Sequence, residues 1–439
     1  MLQVNFIRDN KERVIAGLQT RNYKGERLAI VDTALALDDQ RKSTQTELDA
    51  LLAANNKISK EIGGLYKQGK RAEAEGLKAQ VESQKGRVKE LEEEMRQVKG
   101  KLTDALLEIP NVPHPNVPPG NTDEDNEVFQ AWGSELPNLG EAAQPHWELG
   151  KKYNLFDFEL GVKITGAGFP LFRGKGARLQ RGLINFFLDE AHKAGYEEII
   201  PPLLVNEASA QATGQLPDKE GQMYHATKDN LYLIPTAEVP VTNVYRNVIV
   251  NEKDFPIKMT GHTPCFRREA GSYGKEVKGL NRVHQFDKVE IVQIVHPEKS
   301  YDVLQEMLKH VEGLLQQLEL PYRILTLCGG DLGFTSALTY DFEVYSAAQK
   351  RWLEVSSVSN FETYQSNRLK VRFKGSDKKT RLAHTLNGSA LALPRIIAAL
   401  LENNQTADGI KLPKAIQSCL LYTSPSPRDA TLSRMPSSA

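Results

Sequence analysis

The stretch that decides the fold is residues 265–291, CFRREAGSYGKEVKGLNRVHQFDKVEI. It begins with an apolar segment that ends in the triplet Arg267-Arg268-Glu269, and a turn-rich part with glycines and basic residues follows. Hydrophobic and polar residues then alternate from 283 to 295. The stretch therefore predicts a strand, a long loop and a second strand.

The second strand carries residues of three kinds on one face. A period of two places His284, Phe286 and Glu290 together, with Phe286 and Glu290 roughly 13 Å apart at about 3.3 Å per residue. An Arg-x-Glu triplet alone is typical of a surface ion pair, but here it occurs with the basic loop and this strand. An aromatic ring, arginines and a carboxylate at this spacing predict a site that holds a nucleotide base, its phosphates and an amine in one line.

The composition favours an intracellular protein. Lysine and arginine together number 56, as do aspartate and glutamate, so any nucleic acid must bind to local patches. Cys265, Cys328 and Cys419 lie far apart and predict neither zinc nor a disulfide framework. The charged N-terminus has no apolar signal region, and no uninterrupted apolar stretch approaches about 18 residues. We expect a soluble, cytoplasmic protein without a membrane span.

Residues 31–108 contain no proline and are rich in charge. Two heptad runs lie in this segment, the first with Leu37, Leu48, Leu51, Ile58, Ile62 and Leu65, and the second with Leu77, Val81, Val88, Leu91, Met95, Val98 and Leu102. Glycines separate the runs, so we predict two antiparallel helices of about 35 residues, each roughly 50 Å long. Such an arm must project from a globular body. A dimerisation coiled coil would show the same heptads, and the pattern alone leaves both interpretations open.

A linker follows the arm. Five prolines in residues 109–120 end the helix, and an acidic stretch continues the linker to 127. Helix and strand patterns then alternate. The predicted organisation is an arm domain at 1–108, a linker at 109–127, a globular domain at 128–417 and a tail at 418–439. The Ser- and Pro-rich tail has no core pattern, and we expect it to be disordered or non-native.

Residues 265–291 closely resemble motif 2 of the class II aminoacyl-tRNA synthetases, and GLNRVHQFDKVE is similar to the seryl-tRNA synthetase version. The helix pattern at 174–195 and the apolar strand EEIIPPLLV at 197–205 resemble motif 1, which builds the dimer interface in this family. Residues 386–402, LNGSALALPRIIAALLE, are interpreted as a loop that enters an amphipathic helix and resemble motif 3. The resemblance implies an α+β fold in a homodimer. Its catalytic domain would be an antiparallel sheet flanked by helices, preceded by a long antiparallel two-helix coiled-coil arm.

The same resemblance implies an ATP site rich in arginine, whose planar fork grips phosphate oxygens. Arg267 would bind the α-phosphate and the serine carboxylate, Arg282 the β- and γ-phosphates, and Arg395 the γ-phosphate. Glu269 would contact the adenosine, and Phe286 would stack on adenine. The implied catalytic residues are Arg267, Glu269, Arg282 and Arg395, and the implied ATP site consists of Arg267, Arg268, Glu269, Val283, His284, Gln285, Phe286, Glu354, Val355, Ser356, Ser357 and Arg395.

Two local features bear on this site. The strand-like run WLEVSSVSNF at 352–361 matches the family's metal-binding segment, so Glu354 and Ser357 would bind the Mg²⁺ that accompanies ATP. These two positions have opposite parity, and both can face the site only if the strand bulges or ends between them. No zinc is expected. Pro394, where family members often have glycine, is expected to kink or delay the helix that carries Arg395.

Serine recognition is expected to use polar groups, because a site that hydrogen-bonds the hydroxyl rejects alanine. Glu290 would bind this hydroxyl. The element Thr236-Ala237-Glu238 follows an apolar run, and a period of two would put Thr236 and Glu238 on one face. The implied serine site consists of Thr236, Ala237, Glu238, Arg267, Glu290, Asn387 and Ser389.

The resemblance implies a ligase that forms seryl-adenylate from L-serine and ATP and passes serine to the 3′ end of tRNA(Ser), and also to tRNA(Sec). The arm would grip the long variable arm of tRNA(Ser), with phosphate contacts from among Arg41, Lys42, Lys57, Lys60, Lys78, Lys85 and Lys89. Two alternatives are open. A carrier-protein aminoacyl ligase shares the catalytic body but lacks the arm, and a catalytically silent RNA-binding homologue would have lost some of the catalytic residues.

Overall fold

The computed structural model describes residues 1–133, 135–269 and 278–420, with only the backbone described for 418–420. It divides into two compact units, Met1–Val112 and Pro113–Ala439. The loop glycines Gly271 and Gly274, and the tail from residue 421 onward, lie outside the described residues.

The first unit is helical. Its helices are α1 (Val4–Asp9), α2 (Lys11–Thr20), α3 (Ile30–Lys67) and α4 (Arg71–Glu108). The last two have 38 residues each and are joined by a short turn. Near the turn the Tyr66 hydroxyl donates to Glu75 at 2.5 Å, and farther away the Thr44 hydroxyl donates to Glu94 at 3.1 Å. The residue numbers of the two contacting residues move apart with distance from the turn, from 66 and 75 to 44 and 94. This shows that α3 and α4 run antiparallel, as predicted.

The heptad positions form the seam between α3 and α4. Leu48 on α3 and Leu91, Met95 and Val98 on α4 are buried, and the remaining apolar heptad positions are half-buried or buried. Most residues between them are exposed. The narrow stripe explains why the two helices need each other: neither can bury its apolar face alone.

A buried carboxylate anchors the base of the arm. Asp38 on α3 is 2% exposed and lies 3.0 Å from Arg8, 2.7 Å from Arg41 and 2.8 Å from Lys42. Burial disfavours the charged form, but hydrogen bonds from Lys42, Arg41 and Arg8 prevail and lower the pKa of Asp38 to about 2. Arg41 and Lys42 are therefore engaged within the protein.

The second unit combines helices with a large sheet. Its helices are α5 (His146–Lys152), α6 (Phe158–Ile164), α7 (Gly174–Lys193), α8 (Glu207–Thr213), α9 (Glu238–Asn243), α10 (Ser300–Gln317), α11 (Tyr364–Leu369), α12 (Leu393–Asn403) and α13 (Lys414–Leu420). Its strands are β1 (Glu127–Trp132), β2 (Phe156–Asp157), β3 (Leu171–Phe172), β4 (Glu197–Glu198), β5 (Leu204–Asn206), β6 (His225–Ala226), β7 (Leu231–Leu233), β8 (Ile249–Asn251), β9 (Ile257–Phe266), β10 (Gln285–Val295), β11 (Tyr322–Thr326), β12 (Leu338–Ser346), β13 (Arg351–Asn360), β14 (Arg372–Lys374), β15 (Thr380–Leu382) and β16 (His384–Ala392).

Eight of these strands form one sheet in the order β1-β11-β12-β13-β16-β10-β9-β4. All neighbouring pairs in it are antiparallel except β4 and β9. The predicted α+β class, with an antiparallel sheet flanked by helices, is confirmed. Within the described residues, no helix combines the length and the apolar character that a membrane crossing requires.

The interior strand β10 has a hydrophobic cluster on each of its two faces. Val289, Ile291 and Val295 belong to the main core, which contains residues of α7, α10 and α12. On the opposite face, Val292 and Ile294 pack into a second cluster with residues of α9 and α11. Each fully buried side chain of this kind contributes about 1.5–3 kcal/mol, so the register of β10 is strongly fixed. The second face continues toward Phe286 and forms the site described below.

The expectation of one strand over 197–205 is wrong. The structure has two short strands, β4 and β5, which pair with β9 and β7 respectively. Pro201 and Pro202 lie between them and have no N–H to donate, so a continuous ladder cannot pass through this segment. The preceding helix is present as α7.

The interpretation of residue 386 onward as a loop is also wrong. These residues belong to β16, and α12 follows at once from Leu393. Pro394 lies in the first turn of α12, where backbone N–H groups have no partner within the helix, so a proline is tolerated. The predicted kink or delay of the helix is absent.

Candidate active site

The candidate site lies on the second face of β10 and extends to the next strand. Alternation places Phe286, Lys288 and Glu290 on this face. In an antiparallel pair, directly opposite residues point to the same side, and Glu290 is opposite Ser389 of β16 while Val292 is opposite Asn387. The sheet therefore brings together residues that are about a hundred positions apart in the chain.

The candidate site residues form a row along this face of β10, from Arg267 and Phe286 at one end to Glu290 at the other. The Arg267 backbone N–H donates to the His284 carbonyl at 2.9 Å, which aligns the residues that follow β9 with those that precede β10. The Arg267 guanidinium lies 5.2 Å from the centroid of the Phe286 ring, and its Nε is 3.4 Å from the Pro235 carbonyl. A ring and a cation side by side offer a stacking surface and a phosphate contact.

His284 and Arg268 are fixed by neighbours on the same end. The His284 ring stacks on Phe169 with 5.3 Å between centroids, and its Nδ1 is 3.0 Å from the Tyr224 hydroxyl. The Arg268 guanidinium lies 6.0 Å from the centroid of the Tyr224 ring, and its backbone N–H donates to the Gln222 carbonyl. The His284 ring is thus engaged on a face and on an edge.

Two further arginines approach the same end. Arg282 Nη1 is 3.2 Å from a carboxylate oxygen of Glu269. Arg395, in the first turn of α12, donates from Nε to the Asn281 carbonyl at 2.9 Å and from Nη1 to the Glu354 carbonyl at 2.7 Å. The four predicted catalytic residues, Arg267, Glu269, Arg282 and Arg395, thus come from the two strand ends and α12.

A β-bulge in β13 reconciles Glu354 with Ser357. Phe342 is opposite Ser356 and the next residue of β12 is opposite Glu354, so Val355 is the extra residue. Val355 packs in the main core, and Glu354 and Ser357 are consequently both on the other face. Asp341 of β12, which is opposite Ser357, has a raised pKa because burial and the nearby Glu354 carboxylate disfavour its charge.

Glu290 forms the other end of the row and is almost fully buried. Lys288 Nζ is 2.6 Å from Glu290 Oε2, and the Thr236 hydroxyl donates to the same oxygen at 3.1 Å. Burial raises the pKa of Glu290, while the attraction of Lys288 opposes this shift. Within the described residues, Oε1 makes no hydrogen bond, so a polar group of a ligand can approach it.

Glu238 is a second buried carboxylate beside Glu290. Gln365 of α11 donates to Glu238 Oε1 at 2.6 Å. The pKa of Glu238 is raised to about 7, mainly because the carboxylate is buried and secondly because the charge of Glu290 is close to it. The expectation that a strand puts Thr236 and Glu238 on one face is wrong, because a bend at 235–237 leads directly into α9, whose first residue is Glu238.

The other predicted residues lie around this row. Ala237 is buried before α9, Val283 is buried, and Gln285 is exposed at the start of β10. Val355 and Ser356 are buried, and the Ser356 hydroxyl donates to a backbone carbonyl of β16 at 2.5 Å. What these last two residues can offer a nucleotide is therefore their backbone.

Comparison with known proteins identifies the family. Residues 1–113 match the Seryl-tRNA synthetase N-terminal domain, and residues 222–404 match the tRNA synthetase class II core domain (G, H, P, S and T). The Serine--tRNA ligase of Salinibacter ruber is 49% identical over 418 residues, which cover 95% of this chain and 97% of that protein. The chain belongs to the seryl-tRNA synthetases. It is therefore an ATP-dependent aminoacyl-tRNA ligase.

Solved structures of seryl-tRNA synthetases show the same architecture. The enzyme of Pyrococcus horikoshii, complexed with ATP, has a TM-score of 0.88 and 35% identity, and the match covers 96% of this chain and 98% of that one. The cytoplasmic Serine-tRNA ligase of Naegleria fowleri, in complex with AMP, has a TM-score of 0.83 and 27% identity over 96% and 97% of the two chains. The expected class II fold with a helical arm is thus confirmed.

Three residues in the site were missed by sequence reasoning. Lys288 could have been found, because the period of two that selects Phe286 and Glu290 also selects the position between them. Gln365 and Asp341 carry no local signal, since their role depends on partners in distant elements.

Proposed function

We propose that the row from Arg267 and Phe286 to Glu290 aligns ATP with serine for adenylate formation. The chain is a serine–tRNA ligase, which activates L-serine with ATP and transfers it to the 3′ end of tRNA(Ser). The observation that carries the proposed alignment is Glu290: its Oε2 is held by Lys288 and Thr236, whereas its Oε1 has no hydrogen bond within the described residues. A carrier-protein ligase and a silent homologue are not favoured, because the ligase relatives match the whole arm as well as the catalytic body.

At the nucleotide end, the chemistry requires an anion to approach an anion. A serine carboxylate oxygen forms a bond to the α-phosphorus while the bond to the bridging oxygen breaks and pyrophosphate leaves. Positioning and fixed positive charge therefore account for most of the catalysis. Arg267 is proposed to hold the α-phosphate and the serine carboxylate, and Arg282 and Arg395 the outer phosphates. Phe286 would stack on adenine, and Arg268 and Glu269 would contact the adenosine end.

At the serine end, recognition depends on a buried acceptor. Glu290 Oε1 is proposed to accept the serine hydroxyl, with Asn387 and Ser389 on the same face of the sheet. Within the described residues, the side chains of Asn387 and Ser389 form no hydrogen bond to the protein, so both can contact serine. Alanine would leave these polar groups unpaired, and this is the proposed basis of its rejection. Thr236 positions Glu290.

The donor atoms around the bulge in β13 suit Mg²⁺. Glu354 is 50% exposed at its side chain, Ser357 lies on the same face, and Asp341 Oδ1 is buried without a hydrogen bond in the described part of the chain. Carboxylate and hydroxyl oxygens are the ligands that this ion prefers. We propose that Glu354 and Ser357 would hold it. When bound, Mg²⁺ would neutralise charge on the ATP phosphates.

The arm, residues 1–108, is proposed to bind tRNA(Ser), and tRNA(Sec) as well. Among the candidate cations, Lys57, Lys60 and Lys89 form no ion pair within the described residues, whereas Lys78 and Lys85 have carboxylate partners on their own helix. An unpaired lysine gains more from a phosphate because it gives up no existing partner. These three are therefore the proposed phosphate contacts.

We further propose that the protein is a homodimer that acts in the cytoplasm, where tRNA is charged. The support for a dimer is the segment from the end of β4 to the first residue of β5, in which Ile200 is 88% exposed and Leu203 and Leu204 are 37% and 44% exposed. Apolar side chains grouped at one place mark an interaction surface. The proposed division assigns 109–127 to a linker and 128–417 to catalysis.

Serine-dependent ATP–pyrophosphate exchange tests the function. We expect Glu290→Gln to raise the KM for serine about 10- to 100-fold, since a hydrogen bond to a charged group contributes about 1.5–3 kcal/mol. Asp287→Asn is the matched control, because Asp287 is on the same strand and its carboxylate bonds to Gln180 and His262 instead. ATP–pyrophosphate exchange without charging of tRNA would favour a carrier-protein ligase. An absence of exchange with every amino acid would refute the proposed enzymatic function.

A further inference from the structure

A buried hydrogen-bond network fixes the point where the long loop returns to β10. Leu280 is fully buried, and its backbone N–H donates to His146 Nε2 at 2.8 Å. The next residue, Asn281, donates from its side chain to Gln349 at 2.9 Å and accepts at its carbonyl from Arg395. Side chains from α5, from the turn between β12 and β13 and from α12 thus hold the two residues that directly precede Arg282.

His146 stands at the centre of this network and is itself fully buried. Its Nδ1 is 2.7 Å from Glu402 Oε1, and that oxygen also accepts from the His146 backbone at 2.9 Å and from Gln349 at 3.0 Å. The Ser346 hydroxyl donates to the other oxygen of Glu402. Because Nε2 accepts from the Leu280 N–H, the ring proton must be on Nδ1. The imidazole is therefore neutral and fixed in one tautomer.

The position before Leu280 is adapted to this ring. Gly279 has φ +71°, and a Cβ there would collide with His146 Nε2 and with the edge of Trp147. The residue before Gly279 is also held, since Lys278 Nζ lies 4.6 Å from the centroid of the Trp147 ring. Only glycine allows the backbone to approach the histidine so closely.

Glu402 and Arg395 both belong to α12, and Arg395 contacts the Asn281 carbonyl. The network therefore ties one helix to the return of the loop twice, once through Arg395 and once through Glu402 and His146. Arg282 and Arg395 are the two arginines proposed for the outer phosphates, and their spacing depends on this tie.

We propose that His146 is a positioning residue for the triphosphate-binding arginines Arg282 and Arg395. It acts through the hydrogen bond to Leu280 and does not touch the substrates. This inference rests on the proposed roles of the two arginines. A loss of this bond should allow the distance between the two arginines to vary and so weaken the binding of ATP. The affinity for serine should stay unchanged, because the serine site is built from other elements.

Two variants of His146 separate the roles of its nitrogen atoms. In His146→Gln the side-chain carbonyl can reach the Leu280 N–H, whereas in His146→Asn the shorter amide reaches only Glu402. We expect His146→Asn to weaken ATP binding about tenfold, the effect of about one buried hydrogen bond, and His146→Gln to restore most of the affinity. His310→Asn, which alters a histidine on α10 next to Tyr196, is the matched control and should leave ATP binding unchanged.

Calorimetric titration with ATP and with serine reads the result, and pyrophosphate exchange is measured in parallel. Unchanged ATP affinity in His146→Asn, or equal losses for ATP and serine, overturns the proposal. Gly279→Ala provides an independent test if His146→Asn does not fold. The added Cβ pushes the loop away from His146 and should weaken the binding of ATP but not that of serine. Because binding is measured directly, an absence of exchange in the unaltered protein would refute the proposed function without hiding the outcome for His146.

Discussion

The buried Glu238 makes the stability of the catalytic unit depend on pH. Its carboxylate is 7% exposed, accepts a hydrogen bond from Gln365 and lies beside Glu290. Burial and the neighbouring negative charge raise the pKa of Glu238 from 4.5 to about 7. The folded state therefore binds the proton more tightly than the unfolded chain does.

The sign and size of the effect follow from linkage. The contribution is fully present below the unfolded pKa of 4.5 and is lost as the pH rises through the folded pKa of about 7. A difference of about 2.5 between the two pKa values corresponds to about 3 kcal/mol, of which about 2 kcal/mol is lost between roughly pH 5.5 and 8.5. Glu238→Gln removes this titration and keeps an acceptor for Gln365.

Denaturant unfolding followed by tryptophan fluorescence measures this effect. All three tryptophans, Trp132, Trp147 and Trp352, lie in the second unit, so the signal reports on that unit alone. We expect the free energy of unfolding of the unaltered protein to fall by about 2 kcal/mol relative to Glu238→Gln between roughly pH 5.5 and 8.5.

Thr242→Val is the control. Thr242 is on the same helix as Glu238, and its buried hydroxyl has no hydrogen bond within the described residues. The substitution removes no titratable group, so its curve should run parallel to that of the unaltered protein. Parallel curves for Glu238→Gln as well would refute the reasoning, because Glu238 would then have the same pKa in both states.

Three further outcomes are expected. Lys288→Met leaves the buried Glu290 carboxylate without its 2.6 Å partner and should lower the free energy of unfolding by about 3–5 kcal/mol; a loss below about 1 kcal/mol in the same fluorescence assay would show that the pair is dispensable. Arg395→Ala removes the contact with the Asn281 carbonyl and should raise the KM for ATP at least about tenfold in the exchange assay, with the KM for serine as the internal comparison. Chelation of divalent cations should abolish exchange and added Mg²⁺ should restore it; exchange that survives chelation would contradict the assignment of Glu354 to metal binding.

The long helices of the arm and strand β10 could be predicted from the sequence. The heptads at 37–65 and 77–102 predicted both long helices of the arm, since a helix is encoded by neighbours three and four positions apart. Residues 283–295 likewise predicted β10 and the shared face of Phe286 and Glu290. The strand expected over 197–205 failed because two prolines outweigh an apolar pattern, which shows that hydrogen-bonding capacity must be read along with hydrophobicity.

The bulge in β13 shows where the sequence leaves a choice. The opposite parity of Glu354 and Ser357 required a bulge or a strand end, and only pairing with β12 decided that Val355 is the extra residue. The phase of a strand after a bulge depends on the partner strand, and nothing in the ten residues of β13 records it.

The sequence by itself determined the order of the elements, the family and the chemical types of the site residues, because these depend on residues that are adjacent or periodically spaced. Tertiary structure alone decided the electrostatics. Glu238 meets Gln365 across 127 positions and His146 meets Glu402 across 256. The charge state of a carboxylate depends on its burial and on the donors around it, and both are set when distant segments pack together.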